Sequence, residues 1–142
     1  MIRKMLVPGL VLGVVITACG DPADAGGTED DPRVVEVAAL DTLAYEPTTI
    51  EVAEGETITF VVSNSGDIDH EFVVGDEETQ RMAEEEMAEG MHGHTAAMAA
   101  LTIAPGDTEE ATVTFEEAGT LQYACHIEGH YPGGMVGTIE VS

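Results

Sequence analysis

Tryptophan is absent, lysine does not occur beyond Lys4, and cysteine occurs only twice in 142 residues. Each scarcity excludes something. Cys19 lies at the end of an N-terminal apolar run, so Cys125 has no disulfide partner within the rest of the chain. A lone thiol in an oxidising compartment is open to oxidation unless a bond to something else protects it. Cationic residues are nearly missing too. After Cys19 only Arg33 and Arg81 oppose all 28 acidic residues, and the formal net charge is −24. Nucleic acid and anionic lipid surfaces would repel such a chain. A basic partner would be attracted, with strong salt dependence. The same composition serves solvation alone, and the sequence leaves those two readings open. Aromatic residues make up 4%, so the expected core is mainly Val, Ile, Leu and Ala.

The first nineteen residues read as a leader. Met1 to Lys4 is short and basic, and Met5 to Ile16 is apolar but too short for a good membrane span. The run ends in Ile16-Thr17-Ala18-Cys19, which resembles a bacterial or archaeal lipobox. That implies a lipid on Cys19 as the membrane attachment, in place of a transmembrane helix. An ordinary secretory signal with a cysteine near the cut is the alternative. Both put the domain outside the cytoplasmic membrane, lipid-anchored at its outer face or in the periplasm or cell envelope. Residues 20–32, GDPADAGGTEDDP, are polar, acidic and rich in Gly and Pro, and read as a flexible tether. One domain is left, residues 33–142.

From Arg33 the pattern has period two. Val35, Val37 and Ala39 alternate with Val34, Glu36 and Ala38. Leu40 to Thr49 is a crossing that contains Pro47. Further strands are expected at Ile50–Val52, Thr57–Val62, Asp69–Val74, Leu101–Ile103, Glu110–Phe115, Leu121–Cys125 and Met135–Val141, separated by Gly, Pro, Asn and Asp turns. Residues 76–100 break that rhythm. Helix formers predict a helix over Glu77–Glu89, followed by a Met- and His-bearing loop. Seven or eight short strands with regular turns predict an all-β, antiparallel Greek-key β-sandwich carrying a short helical insertion.

The chemistry concentrates in Tyr123–Val141, YACHIEGHYPGGMVGTIEV. Cys125, His130 and Met135 are separated by two four-residue gaps, and His70 lies upstream in Asp69-His70-Glu71-Phe72. One thiolate, two imidazoles and a thioether are what a mononuclear blue-copper site uses, with His, His and Cys in a plane and a weak axial Met. Taken singly, each residue could be an ordinary buried Cys, surface His or core Met; the joint spacing argues for the metal.

With Tyr45-Glu46-Pro47, Ile50, Val52, Gly55-Glu56-Thr57, Phe60, Asn64 and Gly134-Met135-Val136-Gly137 added, the chain from Arg33 onward resembles a cupredoxin of the plastocyanin and auracyanin-like branch. The resemblance implies one type 1 copper, Cu(I)/Cu(II), held by His70, Cys125, His130 and Met135, and a monomeric one-electron carrier. It also implies electron exit through His130 to a redox partner protein, which the acidic charge suggests is basic. No enzyme activity is implied. A multicopper-oxidase arrangement needs a histidine on each side of the cysteine, and Ala124 occupies one side; a binuclear purple site needs two cysteines.

His126 follows Cys125 on the same strand and is expected on the opposite face. Met82, Met87, Met91, His92, His94 and Met98 form a second group. Met87, Met91, His94 and Met98 share helical spacing, which Gly90 and Gly93 interrupt. Thioethers with imidazoles suit Cu(I), and the group then supports a second function, copper storage or delivery. Met as adaptable packing, with His92 and His94 solvated, is the plainer reading.

Overall fold

The alternation that begins at Arg33 forms β1, Arg33–Leu40, with Val37 and Ala39 turned into the core. The computed structural model describes residues 26–142; Cys19, the leader and the first part of the tether lie outside them. β2, Ala44–Glu46, and β3, Thr49–Val52, follow, so the crossing around Pro47 contains a short strand. β4 is Glu56–Asn64 and β5 is His70–Gly75. Helix α1 spans Glu77–Ala88, within a residue of the sequence expectation. Asp76 starts it, accepting the Thr79 N–H at 2.8 Å, and Glu77 and Glu78 complement its N-terminal dipole. β6 is Ala99–Ile103, β7 Thr108–Phe115, β8 Gly119–Ala124 and β9 Val136–Val141.

Two sheets face each other in a Greek-key β-sandwich. One runs β2-β1-β4-β7 and the other β3-β9-β8-β5-β6. The expectation of purely antiparallel pairing fails at two places. β1 pairs parallel with β4, and β3 pairs parallel with β9. Both parallel pairs arise because the N-terminal third of the chain is shared between the sheets, β1 joining one and β3 the other.

The core also departs from the aliphatic expectation. Tyr45, Phe60, Phe72, Phe115 and Tyr123 are all at most 1% exposed and form a continuous aromatic chain between the sheets. Few aromatics suffice because they are placed together, each burying about 150–250 Å². Tyr45 and Tyr123 satisfy their hydroxyls on Glu71 O and Pro47 O. Gly137 is required where it stands: a Cβ there would meet the Tyr123 ring at 2.1 Å.

β5 is buried along its whole length, which a half-exposed strand would not be. Phe72 and Val74 belong to the core, whereas Val73 is equally buried but not part of it. Helix α1 packs on that second face. Gln80, fully buried, donates from Nε2 to Val73 O at 3.0 Å and Gln122 O at 3.2 Å, bonding the helix to β5 and β8.

The tether expected through Pro32 ends sooner. Gly27 N–H donates to Glu56 Oε1 and Gly27 O accepts the Thr57 N–H at 2.8 Å, so the chain is docked on β4 from residue 27. Among the described residues, no helix is long and apolar enough to cross a membrane.

Candidate metal centre

His70 opens β5, and Cys125 follows the last residue of β8. Their strands are antiparallel neighbours inside one sheet, so one end of that sheet carries both. The loop from Cys125 to Met135 is closed by its own backbone. His130 N–H donates to Ile127 O at 2.8 Å, Met135 N–H to His130 O at 3.0 Å and Cys125 N–H to Met135 O at 3.2 Å. Cys125, His130 and Met135 are thereby fixed to one another before any side chain is considered. Gly129 and Gly134 take positive φ of 86° and 101°, which a side chain would resist.

One ligand atom from each of His70, Cys125 and His130 falls within 4.8 Å of the others. Cys125 Sγ lies 3.3 Å from His130 Nδ1 and accepts the Glu71 N–H at 3.2 Å. Cys125 and His70 are fully buried; His130 is partly exposed and is the group's contact with solvent. Met135 is fully buried and packs in the same core cluster as Cys125.

The donor set fits copper on an observation of its own. His70 Nδ1 is buried and has no hydrogen-bond partner, a costly state for a polar atom unless something else takes its lone pair. The other nitrogen, Nε2, faces Asp41 Oδ1 at 3.3 Å. A carboxylate on one imidazole nitrogen holds the proton there and leaves the other free for a metal. Asp41 is itself placed by the Asp67 N–H on Oδ2 at 2.8 Å, the main reason its carboxyl sits below the ordinary range. Asn64 completes the support. Its Nδ2 donates to Ile68 O and Ile103 O, and its Oδ1 accepts the Gly66 N–H, fixing the turn that delivers His70.

Burial pushes the Cys125 thiol up to about 11, so at neutral pH a cation on this sulfur displaces a proton. Burial first, then the neighbouring His70, pull His130 below the usual histidine value, which favours the neutral form that binds metal.

The matching family is that of the copper-binding proteins, plastocyanin/azurin, over residues 33–142. The chain belongs to that family. Among similar proteins is the copper-resistant cuproprotein CopI of Rubrivivax gelatinosus, 38% identical over 125 residues, 88% of this chain and 74% of the relative. CopI of Pseudomonas aeruginosa is 32% identical over 99% of both chains. Reduced auracyanin of Roseiflexus castenholzii superposes with a TM-score of 0.69 at 30% identity, covering 77% of this chain and 96% of its own. As a cupredoxin, the chain takes copper as its cofactor.

Around this centre the cupredoxin keeps several residues that sequence reasoning left aside. His126 turns to the opposite face, as expected, and is fully buried beneath α1. Its Nε2 lies 2.7 Å from Gln80 Oε1 and its Nδ1 2.8 Å from Glu84 Oε1. Burial lowers its pKa while Glu84 opposes that. Tyr131 packs on its ring at 4.9 Å. Asp41, Gln80 and Glu84 carry no motif, and nothing separates them from the other polar residues of so acidic a chain.

The Met/His group does not stack on one helix face, because α1 ends at Ala88. It divides into three. His94, expected in solvent, is buried, with Nε2 3.5 Å from Glu71 Oε2 and Nδ1 3.6 Å from Glu86 Oε2; Met82 lines the small enclosed void beside it. Met91 and Met98 are exposed. Met87 and His92 line a cavity of about 830 Å³, and His130 lines the same cavity. The insertion therefore lies beside the copper centre.

Proposed function

We propose that this cupredoxin carries single electrons outside the cytoplasmic membrane, holding one type 1 copper through His70, Cys125 and His130 with Met135 as the weak axial ligand. The convergence of one donor atom from each of the three residues within 4.8 Å, together with the orphaned His70 Nδ1, carries this reading. Bound there, copper supplies a one-electron couple. The chain's own part is to keep the donors still. Cys125 is fixed by its bonds to Glu71 and Met135, and His70 by Asp41, so the cage changes little between oxidation states. His130, alone of the three in reaching solvent, passes the electron. Attachment through lipid on Cys19 and a basic redox partner complete the proposal.

Cu(II) added to the metal-free protein should give an intense visible thiolate-to-copper band, lost in Cys125→Ser, and voltammetry should show a reversible one-electron wave. A colourless Cu(II) complex would overturn the type 1 assignment.

A second reading, copper storage or delivery in copper resistance, is supported by the likeness to the copper-resistant cuproproteins and by the shared cavity of Met87, His92 and His130. A protein of that kind should raise copper tolerance when expressed in a sensitive host, and Cys125→Ser should remove the gain.

A further inference from the structure

We infer that Met87 and His92 form a second, soft-metal site at the mouth of the copper centre, which takes Cu(I) and hands it to His130. The inference rests on His130 being a copper ligand.

Three observations carry it. The first is preorganisation. Glu89 caps α1, and the chain reverses through Gly90 at φ 75°, with Gly90 N–H on Met87 O at 3.0 Å and Met91 N–H on Glu86 O at 2.8 Å. This paired closure of a helix end is the Schellman arrangement. It turns Met91 back onto the last helical turn, where Met87 lies, with His92 next in the chain. Two residues on, His94 is buried between Glu71 and Glu86. His92 is therefore suspended between two fixed points.

The second observation is what Met87 does not do. Methionine most often fills gaps in packing, and fully buried Met135 does so here. Met87 is instead half-buried at an open cavity, which the exposed His92 and the partly exposed His130 also line. A thioether with imidazoles and no thiolate is a donor set suited to soft monovalent copper, and weaker than the Cys125 site beyond it. Metal would pass downhill.

The third is an unsatisfied group. Glu71 lines the cavity and its side chain is 4% exposed, yet Oε2 has no hydrogen-bond partner, the nearest donor being His94 Nε2 at 3.5 Å. Asp67, Asp69 and Glu128 line the same space and supply the field that gathers a cation.

The test uses the full chain, first loaded with one copper and reduced. A second equivalent of Cu(I), added without oxygen against a competing Cu(I) chelator, should bind and shift the Met87 methyl and His92 ring resonances. Met87→Leu with His92→Ala should abolish that second equivalent and slow Cu(I) uptake by the metal-free protein about tenfold, while the oxidised band keeps its position and intensity. Saturation at one equivalent overturns the inference. So does a second equivalent that survives this double substitution and is lost in Met91→Leu with Met98→Leu. Absence of a thiolate band with the first copper is a separate failure, of the type 1 assignment itself.

Discussion

His126 Nε2 lies 2.7 Å from Gln80 Oε1, so the residue after Cys125 is bonded to helix α1. The direction of that bond is fixed elsewhere. Gln80 Nε2 is occupied by Val73 O and Gln122 O, so Oε1 can only accept and His126 Nε2 must donate. Gln80→Ala strands a buried imidazole N–H and backbone carbonyls together. The expected loss is about 2–4 kcal/mol in guanidinium unfolding of the metal-free protein. The copper band should persist with an altered position, since Cys125 is adjacent to the loosened residue.

Asp41 acts on the centre through His70. Removing its carboxylate in Asp41→Ala leaves His70 Nε2 without the partner that sets its tautomer. Copper affinity should fall about 10–100-fold in a chelator competition. Asp41→Asn, which can still accept from Nε2, should recover part of it. Gly66→Ala should imitate the loss, because a Cβ there would sit 2.0 Å from Asp41 Oδ1.

Acid stability turns on Glu56. Its side chain accepts from Arg33, Ala53 N–H and Gly27 N–H, and Arg33 above all holds its carboxyl down at about 2 from an ordinary 4.5. A depressed carboxyl contributes stability that is complete above the unfolded value and is lost as pH falls through the folded one. The window is therefore pH 4.5 to about 2. The contribution is about 2 kcal/mol, reduced from the full linkage value because Arg33 is 36% exposed. Urea melts of Glu56→Gln should show lower stability at neutral pH and a flatter slope across that window.

The charge of −24 predicts a kinetic signature. Two copies must approach for self-exchange of electrons, and like charges oppose them. Self-exchange measured by NMR line broadening should therefore rise several-fold between low and high salt, as screening shortens the reach of that repulsion to about 10 Å and below. Electron transfer with a basic partner should fall over the same range.

Much of this was legible in the sequence, for definable reasons. The strands announce themselves by period two, and α1 by its helix formers. Cys125, His130 and Met135 stand out because the loop that joins them is short, so spacing in the chain is proximity in space. His70 comes from another hairpin, and the donor set a blue-copper site requires, rather than spacing, brought it in. What spacing could not reveal was the second face of β5. Glu71, Val73 and His126 look like the solvent side of a half-exposed sheet until α1 covers them. His94 looked solvated for the same reason, since its partners Glu71 and Glu86 are 23 and 8 residues away. The parallel pairings escaped too, because alternation fixes which side chains face inward and says nothing about strand direction.

The docking of residue 27 gives the molecule a direction. Gly27 meets Thr57 at the start of β4, and the chain's last residue, Ser142, bonds Val52 and Glu54 nearby. β1 and β4 run parallel from there to Leu40 and Asn64, beside Asp41 and the turn into His70. Eight residues of strand separate the two poles by about 25 Å. Any surface that holds the chain from its N-terminal side therefore grips the pole remote from the metal. Held that way, His130 and its acidic cavity would lie at the far pole, open to a diffusing protein or a free ion.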